Sequence, residues 1–444
     1  MKPKITARIL KPIAVVKQIA VLKQIAVVKQ IAVVPLITVL KQITVVKLIA
    51  VVPLITVLPL ITVLPLIAVL LIPGCGDRGG GSTDSVEDPI RFYVGSSDTT
   101  RAYGIFLCEL DPATSRMSLV DSFSGEMGPY YLTLSPEQEF LYTVSKKVFD
   151  PASGNMTVSG YRVDREDRGL EIISHRSSQG QEPSHIFCSR DGDFLFTANY
   201  ASGNIAVFPL TGEGLIEQAS CVVQSSGNGP VKGRQKGPHP HYVTLDPGEN
   251  YLLSPDLGAD KILVYRFRRE TGTLIANPRQ PFLKMTPGSG PRHLDFHPSG
   301  KFVYVVSELG ATATACSYDT ETGVLVRLNE VPTLPKRDTG ENYPAAVRVH
   351  PGGKFLYTSN RGERNSISVF RISEDGTIGR IQVVDEVPAW PRDIIIHPAG
   401  NMLIAAGERD GLIRLYRVDP FTGSLERTEQ TLRLPAPACI LFIN

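Results

Sequence analysis

The stretch Gly290–Gly310, GPRHLDFHPSGKFVYVVSELG, is a β-hairpin written in four parts. A proline opens it, and Leu294 and Phe296 alternate with polar residues, as in a strand with one buried face. His297-Pro298-Ser299-Gly300 reads as a tight turn. Phe302, Val303, Tyr304, Val305 and Val306 then make a second strand, dense in β-formers.

The same hairpin recurs. Copies start at Pro129, Pro183, Pro240, Pro344 and Pro391, and a shortened one, PACILFIN, starts at Pro437. Their spacing of about fifty residues is that of propeller blades. Most copies are followed by a third strand, such as Asn204–Phe208, Ile262–Phe267, Ile367–Ile372 and Leu412–Val418. A Thr-Gly or Asp-Gly turn and a fourth strand come next. Four strands per unit predict an all-β fold, a seven-bladed β-propeller of four-stranded blades. The Pro437 copy stops after one strand, whereas Arg91–Tyr93 and Gly104–Leu110 supply strands with no hairpin of their own. Pairing N- and C-terminal strands in one blade closes the ring and removes exposed sheet edges. The propeller is therefore expected over residues 90–444.

Residues 1–75 are of a different kind. From about residue 11 to 70 a six-residue unit (KQIAVV, KQITVV, PLITVL) repeats without a break. No charge occurs from Leu48 to Gly74, a run long enough to span a bilayer. It ends in Leu71-Ile72-Pro73-Gly74-Cys75, which resembles a bacterial lipobox, with Cys75 as the lipidation site. Pro73 is atypical there. Residues 76–89 are a Gly/Ser-rich tether. Three readings stand: a lipid-anchored exported protein, an uncleaved N-terminal anchor, or a start codon assigned upstream of the true one, which would leave the protein cytoplasmic. In all three the segment is targeting rather than fold.

Among 444 residues, 46 Lys and Arg balance 44 Asp and Glu, so no charge field points to nucleic acid. The six cysteines lack metal-ligand spacing, and no metal site or cofactor is expected. No Gly-x-Ser-x-Gly elbow or Cys/His pair suggests a covalent nucleophile. A monomer is expected.

Chemistry separates from scaffold by position along the hairpin. His297, His350 and His397 all precede the turn proline, and a residue recurring at equivalent turns is a capping device. The opposite end differs from blade to blade. After the opening proline stand Tyr130, Ser184, His241, Arg292, Ala345 and Arg392. After the second strand stand Lys146, Asn199 with Tyr200, Asp256, Glu308, Arg361 and Glu408. Strand polarity puts both sets at one mouth of the channel, where so many charges need partners or a ligand. His239, two residues before His241, faces the same way on an extended chain.

GPHPHYVTLDP (Gly237–Pro247), PDLGADKILVYRF (Pro255–Phe267), the Gly290–Leu309 hairpin and YTSNRGERNSISVFRI (Tyr357–Ile372) resemble the seven-bladed β-propeller lactonases, the 6-phosphogluconolactonase and carboxymuconate cyclase type. The resemblance covers nearly all of residues 90–444. It implies hydrolysis of a sugar lactone, with His241, Arg292, Glu308 and Arg361 at the matching site positions. His241 would take a proton from water, and the arginines would hold an oxyanion or a substrate anion. Glu308 would orient a partner or deliver a proton. Lys146, Asp256, Arg392 and His239 are the expected substrate-binding residues, and the positive charges of Lys146 and Arg392 suit an acidic or phosphorylated sugar. A non-catalytic exported scaffold and a cyclase-like, lactone-forming enzyme are the alternatives.

Overall fold

The hairpins assemble into a ring. The computed structural model describes residues 89–443 apart from 101, 102, 126, 337 and 339. Within them lie seven antiparallel sheets. The export segment, Cys75 and all but the last residue of the tether lie outside the described residues, so the lipidation reading stays an expectation.

Blades one to six span residues 129–177, 183–224, 244–284, 291–332, 342–384 and 391–433. The seventh is composite. Its inner strand is Pro437–Ile443, which pairs with Ile90–Ser96 and is followed outward by Tyr103–Leu110 and Met117–Ser124. The ring thus closes by joining the two ends of the propeller domain. In blade three the outer strand is broken into Thr273–Ala276 and Phe282–Lys284, both paired with Lys261–Arg268. Pro278 and Pro281 stand in the break, where a ring nitrogen has no hydrogen to donate.

There is no single central core. Seven apolar clusters each fill the seam between two neighbouring blades, as Tyr304, Val306, Val347, Leu356 and Phe370 do between blades four and five. Polar clips lock the seams from both ends. Tyr142, Tyr304 and Tyr357, at matching places in second strands, donate to the carbonyls of Gly214, Gly376 and Gly423 in the next blade, at 3.1, 3.2 and 2.8 Å. Tyr93 does the same from the closing blade to Arg168 O at 2.6 Å.

The turn histidines behave as expected and do more. His297 and His350 each accept a hydrogen bond through Nδ1 from the second residue onward, Ser299 N–H at 3.1 Å and Gly352 N–H at 2.9 Å. Their Nε2 atoms reach the Gly353 and Gly400 carbonyls of the following blade, both at 2.9 Å. His397 receives Ala399 N–H at 3.2 Å. The turn glycines Gly300, Gly353 and Gly400 sit at φ 71°, 71° and 77°, which favours glycine.

Candidate active site at the channel mouth

A repeated irregularity builds the site. The pairing register slips between Pro129 and Tyr131, Pro183 and His185, Pro291 and His293, and Pro391 and Asp393. Each slip is a β-bulge at the residue after the opening proline, and a bulge re-aims its side chain. The bulged residues are Tyr130, Ser184, Arg292 and Arg392, and all four line one cavity of about 370 Å³. His241 joins them from the matching place in blade three, its N–H held by Pro255 O at 2.9 Å. Tyr200, Glu308 and Arg361 enter from the ends of second strands and Lys146 from a register slip within the long strand Phe140–Asp150, with Glu182, Met156 and Arg234 completing the wall.

Glu308 is the hub. Its Oε1 accepts from Arg234 Nη2 at 2.6 Å, and its Oε2 from Arg361 Nη2 at 2.7 Å. Arg292 Nε lies 3.0 Å from the same Oε2. Burial alone would raise this carboxyl, but the facing guanidiniums of Arg361 and Arg292 hold it well below the usual carboxylate range. Glu308 therefore stays ionised, held between three guanidinium groups.

Two arginines are half spent on the framework. Arg292 Nη1 donates to Ala345 O at 2.6 Å and to His293 Nε2 at 3.0 Å. Arg361 Nε donates to Tyr343 O at 3.0 Å, and its guanidinium lies 5.3 Å from the Trp390 ring. Arg292 Nη2 and Arg361 Nη1 carry no partner among the described residues, though both side chains line the cavity. Burial, and then Arg361 beside it, push Arg292 down to about 9, so it remains a cation at neutral pH.

His241 is buried, and its Nδ1 has no hydrogen-bond partner among the described residues. Burial and the Arg292 charge press it well below 6.5, leaving a neutral imidazole. Its ring meets Tyr200 edge-on at 5.4 Å and His293 at 5.3 Å. His293 in turn meets Tyr242, Tyr242 meets His185 and His185 meets Tyr131 in tilted ring contacts, with centroids 4.8, 3.8 and 4.1 Å apart.

A second basic pair stands beside Tyr130: Lys146 Nζ is 5.5 Å and the Arg392 guanidinium 5.9 Å from its ring. Arg392 Nη1 donates to Glu408 Oε2 at 3.3 Å, while Ser97 donates to the other oxygen at 2.6 Å. Five basic side chains thus line a wall holding two carboxylates, Glu182 and Glu308.

Two expected substrate contacts stand off the cavity wall. Asp256 is fully buried, and its Oδ1 accepts the N–H groups of His239, Gly258 and Ala259 at 2.7, 3.1 and 3.0 Å. It caps a turn. His239 stacks on Tyr200 at 4.4 Å and bonds the Tyr200 carbonyl at 2.8 Å, so it braces a lining residue rather than lining the cavity itself. Arg234 escaped the reading of the hairpins because it lies on the connection 225–243, between them. The signal was that connection's length, since the next blade is usually reached in a few residues, as over 178–182 or 285–290.

The sequence profile of the Lactonase, 7-bladed beta-propeller family matches residues 91–442. The chain is 31% identical over 354 residues to the 6-phosphogluconolactonase of Bacillus subtilis (strain 168), covering 79% of this chain and 98% of that one. It is 28% identical over 346 residues to the 6-phosphogluconolactonase of Formosa agariphila, covering 77% and 96%. Among solved structures, the Pseudomonas aeruginosa periplasmic gluconolactonase, PpgL, matches with a TM-score of 0.75 at 28% identity, over 80% of this chain and 99% of that one. With the blades, the ring closure and a profile match running through all seven, the chain belongs to the lactonase family of seven-bladed β-propellers.

Proposed function

We propose that this chain hydrolyses a sugar lactone of the gluconolactone type, phosphorylated or not, by attack of water activated by His241. The observation that carries the reading is the convergence on one cavity of a neutral histidine and two arginines, each with one nitrogen uncommitted. Water attacks the lactone carbonyl carbon, and His241 takes its proton. The carbonyl electrons move onto oxygen, where Arg292 Nη2 and Arg361 Nη1 stabilise the oxyanion. Collapse breaks the bond to the ring oxygen, and His241 returns the proton to that leaving alkoxide. Glu308 holds the arginines in place through charge-assisted hydrogen bonds. Lys146 and Arg392 receive an acidic or phosphoryl group of the substrate.

The name of the Pseudomonas aeruginosa neighbour places that protein in the periplasm. Together with the lipobox-like Cys75, this supports export and anchoring of the present chain to a membrane. Among the described residues no helix is long and apolar enough to cross a membrane.

The test is a rate measurement on 6-phosphogluconolactone and glucono-1,5-lactone with wild type and His241→Ala, each checked by thermal unfolding. A folded His241→Ala that keeps full activity would sink the role of His241. Membrane fractionation of Cys75→Ser against wild type tests the anchor. Equal partitioning would remove it.

A further inference from the structure

Five of the inner strands are entered through a left-handed residue directly before the opening proline. These are Gly128 (φ 60°), Glu182 (φ 48°), Gly290 (φ 58°), Trp390 (φ 61°) and Ala436 (φ 38°). Glycine adopts this conformation freely, whereas a residue with a Cβ is strained there. The fold accepts glycine in blades one and four, so the strain in blade two is not required by the ring. It accompanies a side chain that lines the cavity, that of Glu182. An observed backbone outlier at a cleft is a reason to look for function.

Glu182 is also chemically distinct. Glu308 is committed to three arginines, and Glu408 to Arg392 and Ser97. The Glu182 carboxylate has no ion-pair or side-chain hydrogen-bond partner among the described residues. Its backbone is tied independently, its carbonyl accepting Tyr200 N–H at 2.9 Å. The cavity walls differ from side to side. Blades four to six present Arg292, Arg361 and Arg392, whereas blades one and two present Tyr130, Ser184, Tyr200 and Glu182, with Lys146 beside Tyr130. Such a cavity suits a ligand with an electron-rich carbonyl or anionic end and a hydroxyl-bearing end.

We infer that Glu182 accepts hydrogen bonds from neighbouring hydroxyl groups of the substrate and so selects polyhydroxylated lactones over lactones without hydroxyls. An ionised carboxylate is an acceptor only, with room for two donors. This rests on the lactonase reading, which the experiment separates from it.

The measurement is the ratio of kcat/KM for glucono-1,5-lactone to that for δ-valerolactone, in wild type, Glu182→Gln and Glu182→Gly. Both variants lower the ratio by about tenfold or more, the scale of a lost hydrogen bond to a charged group. Glu182→Gly does so without lowering Tm, because glycine relieves the left-handed strain. A ratio within about twofold of wild type in both variants overturns the inference, as does a lower Tm for Glu182→Gly, which would mark a structural role. If wild type turns over neither lactone, the lactonase reading fails, and calorimetric titration with gluconate then decides alone. Weaker binding by Glu182→Gln supports the inference, and unchanged binding overturns it.

Discussion

Glu308 and Arg361, on adjacent blades, are joined by a hydrogen bond of 2.7 Å at the channel mouth, and both are buried. The carboxylate belongs to blade four and the guanidinium to blade five, so the pair fixes the site and clamps a seam together. Glu308→Gln keeps the shape and removes the charge that Arg234, Arg292 and Arg361 share. Leaving buried cations without their counter-charge costs about 3 kcal/mol or more. Chemical denaturation of Glu308→Gln is expected to show that loss, with kcat reduced alongside. Wild-type stability in the variant would mean that the arginines find other partners.

Arg292→Lys tests geometry at constant charge. Arg292 faces Glu308, Ala345 and His293 through two nitrogens and offers a third to the cavity. An ammonium cannot span those directions. The expected fall in kcat/KM is about 100-fold, the scale of removing one oxyanion donor. Steady-state kinetics with a circular-dichroism check of folding reads it directly.

The pH–rate profile should be displaced on its acid side. A base held well below 6.5 by burial and Arg292 stays deprotonated as pH falls, so the acid limb lies below 6.5. An acid limb at or above 6.5 would exclude His241 as the titrating base.

Stability should follow pH for a related reason. Burial, helped by nearby Arg348 or Arg292, holds His185, His241 and His293 well below 6.5 in the folded protein. The unfolded chain takes up a proton at each of these positions below about 6.5, and the folded one does not. Stability is therefore fully present above about 6.5 and declines as pH drops, by up to about 1.4 kcal/mol per pH unit per histidine. Denaturant midpoints at pH 7.5 and 5.5 check the sign. A higher midpoint at pH 5.5 would contradict it.

Tyr357→Phe isolates a clip between blades. Its hydroxyl donates to Gly423 O at 2.8 Å across the seam between blades five and six, away from the cavity. Removing one buried hydrogen bond costs about 1 kcal/mol. A small drop in denaturant midpoint with unchanged KM is expected.

The architecture was legible because one signal, proline–strand–turn–strand, repeats with its glycines in phase. Antiparallel pairing then placed Arg292 and Glu308 at one end by arithmetic. The local departures from that regular pattern were not legible. The bulge after these opening prolines has no single residue signature, since a tyrosine, a serine and two arginines occupy it. Asp256 was misplaced because it follows a second strand as Glu308 does. However, the Gly258-Ala259 turn beside it offers backbone N–H groups that consume its oxygen. Arg234 depends on how a loop folds over the mouth, a matter of tertiary packing. The strain at Glu182 shows only once backbone angles are known.

The pairing of Ile90–Ser96 with Pro437–Ile443 also governs when the molecule can finish folding. Six blades can form in order as the chain emerges, each waiting on its successor for a partner surface. The last seam closes only when the final strand docks against the first, a contact spanning nearly the whole domain in sequence. Contacts of such separation are slow to form because the loop-closure entropy precedes any gain. Until then the Ile90–Ser96 strand has an open edge.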